Sequence, residues 1–182
     1  NWPTCYNVRD LGGLKTDWGQ VIKPGVLFRA DNLSRLTEDG CQALRNDGVQ
    51  TVIDLRSPEE LSRENYPYSP NATGLPTYFN VPLEDRDNPV IKQINVVEPM
   101  SAKYCKMLDH FKPNIGTILT TFAEAQPGVV FHCQAGKDRT GLIISLLLCL
   151  VGVNNDTIAE DYAESEPALM TLYKKLVTDA GN

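Results

Sequence analysis

The residues Val129-Val130-Phe131-His132-Cys133-Gln134-Ala135-Gly136-Lys137-Asp138-Arg139-Thr140-Gly141, with the apolar run Leu142 to Val151 behind them, decide the fold. Val129 to Phe131 is a short apolar run and reads as a buried strand. Leu142 to Val151 is too long for an ordinary strand and reads as a buried helix. The loop between them turns at Gly136 and Gly141. A strand, a tight loop and a helix start leave backbone N–H groups without partners at the head of the helix. Such a place holds anions, phosphate especially.

Cys133 and Arg139 bracket that loop with five residues between them, a C-x5-R spacing. A thiolate is the reactive form of cysteine, and a positive helix end with nearby cations favours it. The spacing lets the loop curl into a cradle with sulfur at the floor and guanidinium at the rim. Arg139 can grip two phosphate oxygens with its planar fork of donors, which a lysine cannot match. Sulfur then stands in line with phosphorus, and the loop N–H groups and Arg139 meet charge on the equatorial oxygens.

On these residues the stretch His132-Cys133-x-Ala135-Gly136-Lys137-Asp138-Arg139-Thr140-Gly141 resembles the signature of the cysteine-dependent protein tyrosine phosphatase superfamily. Its Ala-Gly-Lys-Asp-Arg-Thr-Gly version is similar to that of the bacterial and fungal tyrosine/serine phosphatases, some of which act on phosphoinositides. The resemblance implies an α/β fold with a central, mostly parallel sheet flanked by helices, the protein tyrosine phosphatase-like (C-x5-R) fold. It also implies Cys133 as nucleophile through a phosphocysteine, and Arg139 as phosphate clamp. Gln134, Ala135, Gly136 and Lys137 would line the phosphate cradle. Thr140 would donate its hydroxyl to the sulfur, and His132 would fix the loop by donating to backbone carbonyls. Asp138, before the arginine, is the first choice for the general acid, because a bound dianion would raise its pKa. Asp85 and Asp87 are the runners-up.

The totals fit this reading. A chain of 182 residues is one ordinary domain, residues 1–182, with 42% apolar and 22% charged residues. A net charge of −6 argues against broad nucleic-acid binding. Five cysteines without a C-x-x-C pair suggest neither a disulfide framework nor a zinc site, and two histidines argue against a histidine-rich metal centre. No cofactor is expected. No apolar run reaches the length of a membrane span. The chain begins at Asn1 without a methionine, which leaves a cytoplasmic and a secreted origin both open.

Outward from the loop, strands alternate with helices. Asn7-Val8-Arg9-Asp10-Leu11-Gly12-Gly13 resembles the N-terminal motif of the same phosphatases and reads as a brace for the sheet edge. Trp18-Gly19-Gln20 is a hairpin turn, and Val26 to Arg29 a strand. Arg29 is either a structural partner or a substrate contact. Thr37 caps a helix to about Asn46, and Cys41 and Leu44 face the core. Val49 to Leu55 is a strand, and Ser57-Pro58-Glu59-Glu60 opens a helix with a capping box. Asp54 and Arg56 stand at that strand's carboxyl end, where parallel sheets bind ligands. They either face the site as substrate-binding groups or pair to hold two loops together.

Tyr66 to Pro76 reads as loop, Tyr78 to Pro82 as a strand, and Leu83 to Pro89 as an acidic loop without a Trp-Pro-Asp pattern. Helices follow over Ser101 to His110, with Tyr104, Leu108 and Phe111 on the core face, and over Asn114 to Ala125. After Gly152, Asn155 or Asp156 caps a helix from Thr157 to about Glu164. Asp161-Tyr162-x-x-Ser165 again resembles the family, and Pro167 starts a last helix from Ala168 to Val177.

The expected substrate is a phosphoprotein, with a phosphoinositide as the alternative and a non-catalytic phosphate-binding module as a third reading. Intact Cys133 and Arg139 argue against that module. A nucleotide-binding P-loop fails for want of a Ser or Thr after Lys137. The sequence leaves the oligomeric state open.

Overall fold

A computed structural model describes residues 2–64, 74–84, 88–96 and 99–180, with the backbone alone for 175–180. Five strands form one sheet in the order β1 (Arg9–Asp10), β2 (Leu27–Ala30), β5 (Val129–His132), β3 (Thr51–Asp54), β4 (Thr77–Asn80). Only β1 is antiparallel. This is the α/β class with a mostly parallel sheet that the sequence implies.

The central strand is buried on both faces, which explains why its residues read as an unbroken apolar run. Val129 and Phe131 point to one side, among Leu27, Ile53, Ile118, Ile143 and Ile144. Val130 points to the other, among Phe28, Val52, Leu44 and Trp2. Each such fully buried side chain contributes about 2 kcal/mol. Helices α3 (Val90–Asn95), α4 (Met100–His110), α5 (Lys112–Glu124) and α6 (Asp138–Leu150) supply the first face. Helix α1 (Glu38–Asn46) supplies the second, with Cys41 and Leu44 buried as expected. Helices α2 (Pro58–Arg63), α7 (Asn155–Ala163) and α8 (Ser165–Ala180) complete the chain.

Register sets the site. Ala30 and Asp54 both pair with His132, so β2, β5 and β3 end level. The segments after them, beginning at Asp31, Cys133 and Leu55, therefore meet at one edge of the sheet.

Local chemistry matches most of the expected helix starts. Thr37 accepts from Gly40 N–H at 3.2 Å, and the Ser57–Glu60 capping box forms in both directions. The cap of α7 is Asn154, not Asn155 or Asp156. Its side chain accepts from Thr157 N–H at 2.9 Å, three residues on, which Asn155 and Asp156 are too late to do. Helix α8 begins at Ser165, ahead of Pro167, because a proline in the first turn removes an N–H that has no helical partner. Helix α3 was not foreseen; Asn88 Oδ1 accepts from Val90 N–H at 3.0 Å at its start. Residues 66–73 of the expected loop, and the runner-up acids Asp85 and Asp87, lie outside the described residues.

Candidate active site

Cys133 follows β5 directly and is a free, buried thiol. The loop beyond it is held from behind by its own carbonyls. Ala135 C=O accepts from Asn7 Nδ2 at 3.0 Å, and Gly136 C=O accepts from Arg29 Nη2 at 2.7 Å. A trans peptide points its N–H opposite to its C=O. The N–H groups of Gly136 and Lys137 are thereby turned away from Asn7 and Arg29. Gly136 makes this curl possible: its φ is +64°, and a Cβ there would lie 2.4 Å from Ala30 O.

The braces are themselves braced. Asp31 Oδ1 accepts from the backbone N–H groups of Tyr6 and Asn7, at 2.9 and 3.0 Å. Arg29 is fully buried and pairs with Asp161 Oδ2, while Arg9 Nε donates to Asp161 Oδ1 at 2.6 Å. Arg9 and Arg29 both reach Ser165 Oγ at 3.3 Å. The two outlying motifs thus converge behind the loop, and Arg29 is a structural partner rather than a substrate contact.

Arg139, at the head of α6, is held by Glu60. Oε2 accepts from Nη1 at 2.6 Å and Oε1 from Nη2 at 2.8 Å. Burial lowers the arginine pKa, but hydrogen bonding to Glu60 and the charge of Cys133 outweigh it and leave the guanidinium above its ordinary value.

Lys137 and Asp138 stand half-exposed at the rim. Asp138 Oδ1 accepts from Lys137 Nζ at 2.6 Å and from Tyr104 Oη at 2.5 Å. Lys137 Nζ also donates to Tyr162 Oη at 2.9 Å and sits 5.2 Å from the centre of that ring. Burial pushes the Asp138 pKa up, but the bonds from Lys137 and Tyr104 win and hold the carboxyl below the usual carboxylate range.

A model of the tyrosine phosphatase family matches residues 1–182. The chain belongs to the tyrosine phosphatase family. The chain is similar to the triple specificity protein phosphatase PtpB of Mycobacterium tuberculosis, at 28% identity over 96% of this chain and 71% of that one. It is also similar to a tyrosine-protein phosphatase of Nostoc commune, at 34% identity over 80% of this chain and 50% of that one. It therefore spans between half and about seven tenths of these relatives' lengths. Among solved structures, a kinase associated phosphatase with its catalytic-site cysteine replaced by serine aligns over 86% of this chain and 83% of its own, at 13% identity and a TM-score of 0.49.

In this member of the tyrosine phosphatase family, Asp54 and Arg56 correct one expectation. Both are fully buried, and they bind each other: Arg56 Nη2 donates to Asp54 Oδ2 at 2.7 Å. Tyr78 Oη donates to the same oxygen at 2.8 Å, and Arg56 Nη1 donates to Asn32 Oδ1 at 2.8 Å. With their polar atoms committed beneath the surface, they tie β3 to its neighbours and do not face a substrate. His132 is also fully buried, and burial pushes its pKa down to about 4, so the ring is neutral. Its Nε2 lies 3.3 Å from Asp54 Oδ2, and the charge of Asp54 and the Cys133 backbone oppose part of the effect of burial. Asn7 and Arg29 hold the loop carbonyls of Ala135 and Gly136 from the other side. Thr140 is buried with its hydroxyl unpartnered, and Gln134 Oε1 accepts from Asn32 Nδ2 at 3.3 Å.

Two residues of the site were missed. Glu60 was legible only as a helix cap, and Tyr104 only as a core face. Their reach across 79 and 34 residues has no local sequence signal.

Proposed function

We propose that the chain is a cysteine-dependent phosphomonoesterase that hydrolyses phosphotyrosine, and phosphoserine and phosphothreonine more slowly. The observation that carries this reading is the free, buried thiol of Cys133 at the start of a loop whose Ala135 and Gly136 carbonyls are held from behind by Asn7 and Arg29, with Arg139 of the same loop clamped by Glu60. Phosphate oxygens would take the loop N–H groups and Arg139, and the thiolate would attack phosphorus in line. As the ester P–O bond breaks, Asp138 delivers its proton to the leaving oxygen. In the second step Asp138 takes a proton from water, that water attacks phosphorus, and Cys133 leaves as thiolate with inorganic phosphate as product. The buried hydroxyl of Thr140, free of other bonds, is available to donate to that thiolate.

Asp138 is ionised in the geometry above, so it must gain a proton before it can act. An arriving phosphate dianion competes for Lys137 and adds negative charge, and both effects raise the Asp138 pKa. The triple specificity of the mycobacterial relative's name supports a substrate range wider than phosphotyrosine. The phosphoinositide alternative would use Lys137 as a rim cation. The loop offers that one lysine, with Gln134, bonded to Asn32, where a second basic residue would serve such a substrate, which favours the protein substrate.

The test is a panel of phosphotyrosine and phosphoserine peptides beside phosphoinositides, with Cys133→Ser as control. Hydrolysis of phosphotyrosine that survives a chelator, falls with thiol alkylation and vanishes in Cys133→Ser supports the reading. Turnover that persists in Cys133→Ser overturns it.

A further inference from the structure

The rim of the loop carries a closed ring of four side chains, and counting its protons fixes their roles. Tyr104 Oη lies 2.5 Å from Asp138 Oδ1 and 2.6 Å from Tyr162 Oη. A phenol has one proton to give. Asp138 is ionised and only accepts, so the Tyr104 proton points at Oδ1. Tyr162 must then donate to Tyr104, and Lys137 donates both to Tyr162 at 2.9 Å and to Asp138 Oδ1 at 2.6 Å. The ring closes as Lys137 to Tyr162 to Tyr104 to Asp138, with Lys137 also bonded to Asp138 directly. Bonds arranged head to tail in this way polarise and strengthen one another.

Tyr104 and Lys137 both donate to one oxygen of Asp138, Oδ1, and Tyr162 Oη lies 3.4 Å from that same oxygen. Oδ2 takes no part in the ring. We propose that Tyr104, steadied by Tyr162, is a positioning residue for the general acid: it pins Oδ1 and so presents Oδ2 to the leaving-group oxygen. This rests on the reading of Asp138 as the acid.

The burial and anchoring of the two phenols suit that role. Tyr104 comes from α4 and Tyr162 from α7, so two separately packed helices fix one carboxylate from two directions. Their rings meet edge to face at 6.2 Å between centres. Tyr162 is also wedged against the head of α6, where a Cβ on Gly141 would lie 2.9 Å from its ring. Burial, and then the bond to Asp138, raise the Tyr104 pKa, which keeps this phenol a donor across the working range. Core packing alone requires neither hydroxyl.

The experiment compares wild type, Tyr104→Phe, Tyr162→Phe and Asp138→Asn on aryl and alkyl phosphates of rising leaving-group pKa, reading kcat and KM separately. An acid matters most for a poor leaving group, and its loss costs about 10²-fold or more there. Tyr104→Phe is expected to lower kcat about twofold on p-nitrophenyl phosphate and tenfold or more on an alkyl phosphate, with KM steady. Tyr162→Phe should show the same tilt more weakly. A uniform loss across leaving groups, or no loss, in Tyr104→Phe overturns the proposal when Asp138→Asn shows the tilt. If Asp138→Asn shows no tilt either, the acid reading fails and takes this one with it. Unfolding midpoints of the two Phe variants separate a packing defect from mispositioning.

Discussion

Glu60 holds both outer nitrogens of Arg139, at 2.6 and 2.8 Å, while its Oε2 also accepts from the backbone N–H of Ser57 at 3.0 Å. One carboxylate therefore finishes the cap of α2 and holds the guanidinium of Arg139 in one orientation. Glu60→Gln keeps a carbonyl for the cap but loses the charge and one acceptor. The guanidinium then samples more directions before it meets phosphate. The expected result is about a tenfold fall in kcat/KM on p-nitrophenyl phosphate, with weaker inhibition by inorganic phosphate. Unchanged phosphate inhibition would show that Arg139 is oriented without Glu60.

Asp161 sits between two guanidinium groups, fully buried Arg29 and mostly buried Arg9. Asp161→Asn leaves buried Arg29 without its carboxylate and Arg9 with only the exposed Glu164, 3.5 Å from its Nε, so the two guanidinium groups repel where they were bridged. Stability is expected to fall by about 3 kcal/mol, read from denaturant midpoints. Arg29 also holds Gly136 C=O, so activity should fall under conditions where the variant remains folded.

What the sequence revealed, and what it did not, follows from the range of each interaction. The loop Cys133 to Arg139 was legible because strand, turn and helix signals are local and its chemistry is written in consecutive residues. The Ser57–Glu60 box was legible for the same reason. Asp54 and Arg56 misled because a strand end marks a place near a site, not the direction of a side chain; only burial showed that they turn inward. Glu60 and Tyr104 were legible as local elements and hidden as site residues, because their second partners arrive through the tertiary fold. Asn7 and Arg29 hold the carbonyls of Ala135 and Gly136, and no spacing rule connects them.

The neutral His132 makes stability depend on pH. Its pKa falls from 6.5 in the unfolded chain to about 4 in the fold, because burial disfavours the imidazolium. Above pH 6.5 the ring is neutral in both states and contributes no slope. Between 6.5 and about 4 the unfolded chain takes up a proton that the fold refuses, so stability falls as pH falls. Below about 4 both forms are protonated and the slope ends. The interval corresponds to about 3 kcal/mol. Asp54, with its pKa lowered on balance by His132 and Arg56 against burial, loses its contribution only below the ordinary carboxylate range. Asp31, raised by burial, acts in the opposite sense above 3.8. Denaturation series at several pH values should therefore show a smaller slope between pH 6.5 and 4 in His132→Gln than in wild type. Equal slopes would place the titration elsewhere.

Gly13 and Gly136 separate backbone strain from close approach. Both have positive φ, +90° and +64°, but a Cβ on Gly13 meets nothing within 4 Å, whereas one on Gly136 meets Ala30 O at 2.4 Å. Gly13→Ala pays only the left-handed conformation, about 1 kcal/mol, and should leave kcat/KM within about twofold of wild type. Gly136→Ala must in addition push the loop off β2. The carbonyls that Asn7 and Arg29 hold then lose their register, and the N–H groups opposite them leave the cradle. A displacement of that size at a reacting centre costs about 10²-fold in kcat/KM. Paired unfolding and kinetic measurements on the two variants check this. If both lose activity in proportion to stability, contact with Ala30 does not set the loop; if Gly136→Ala alone collapses in kcat/KM while still folded, it does.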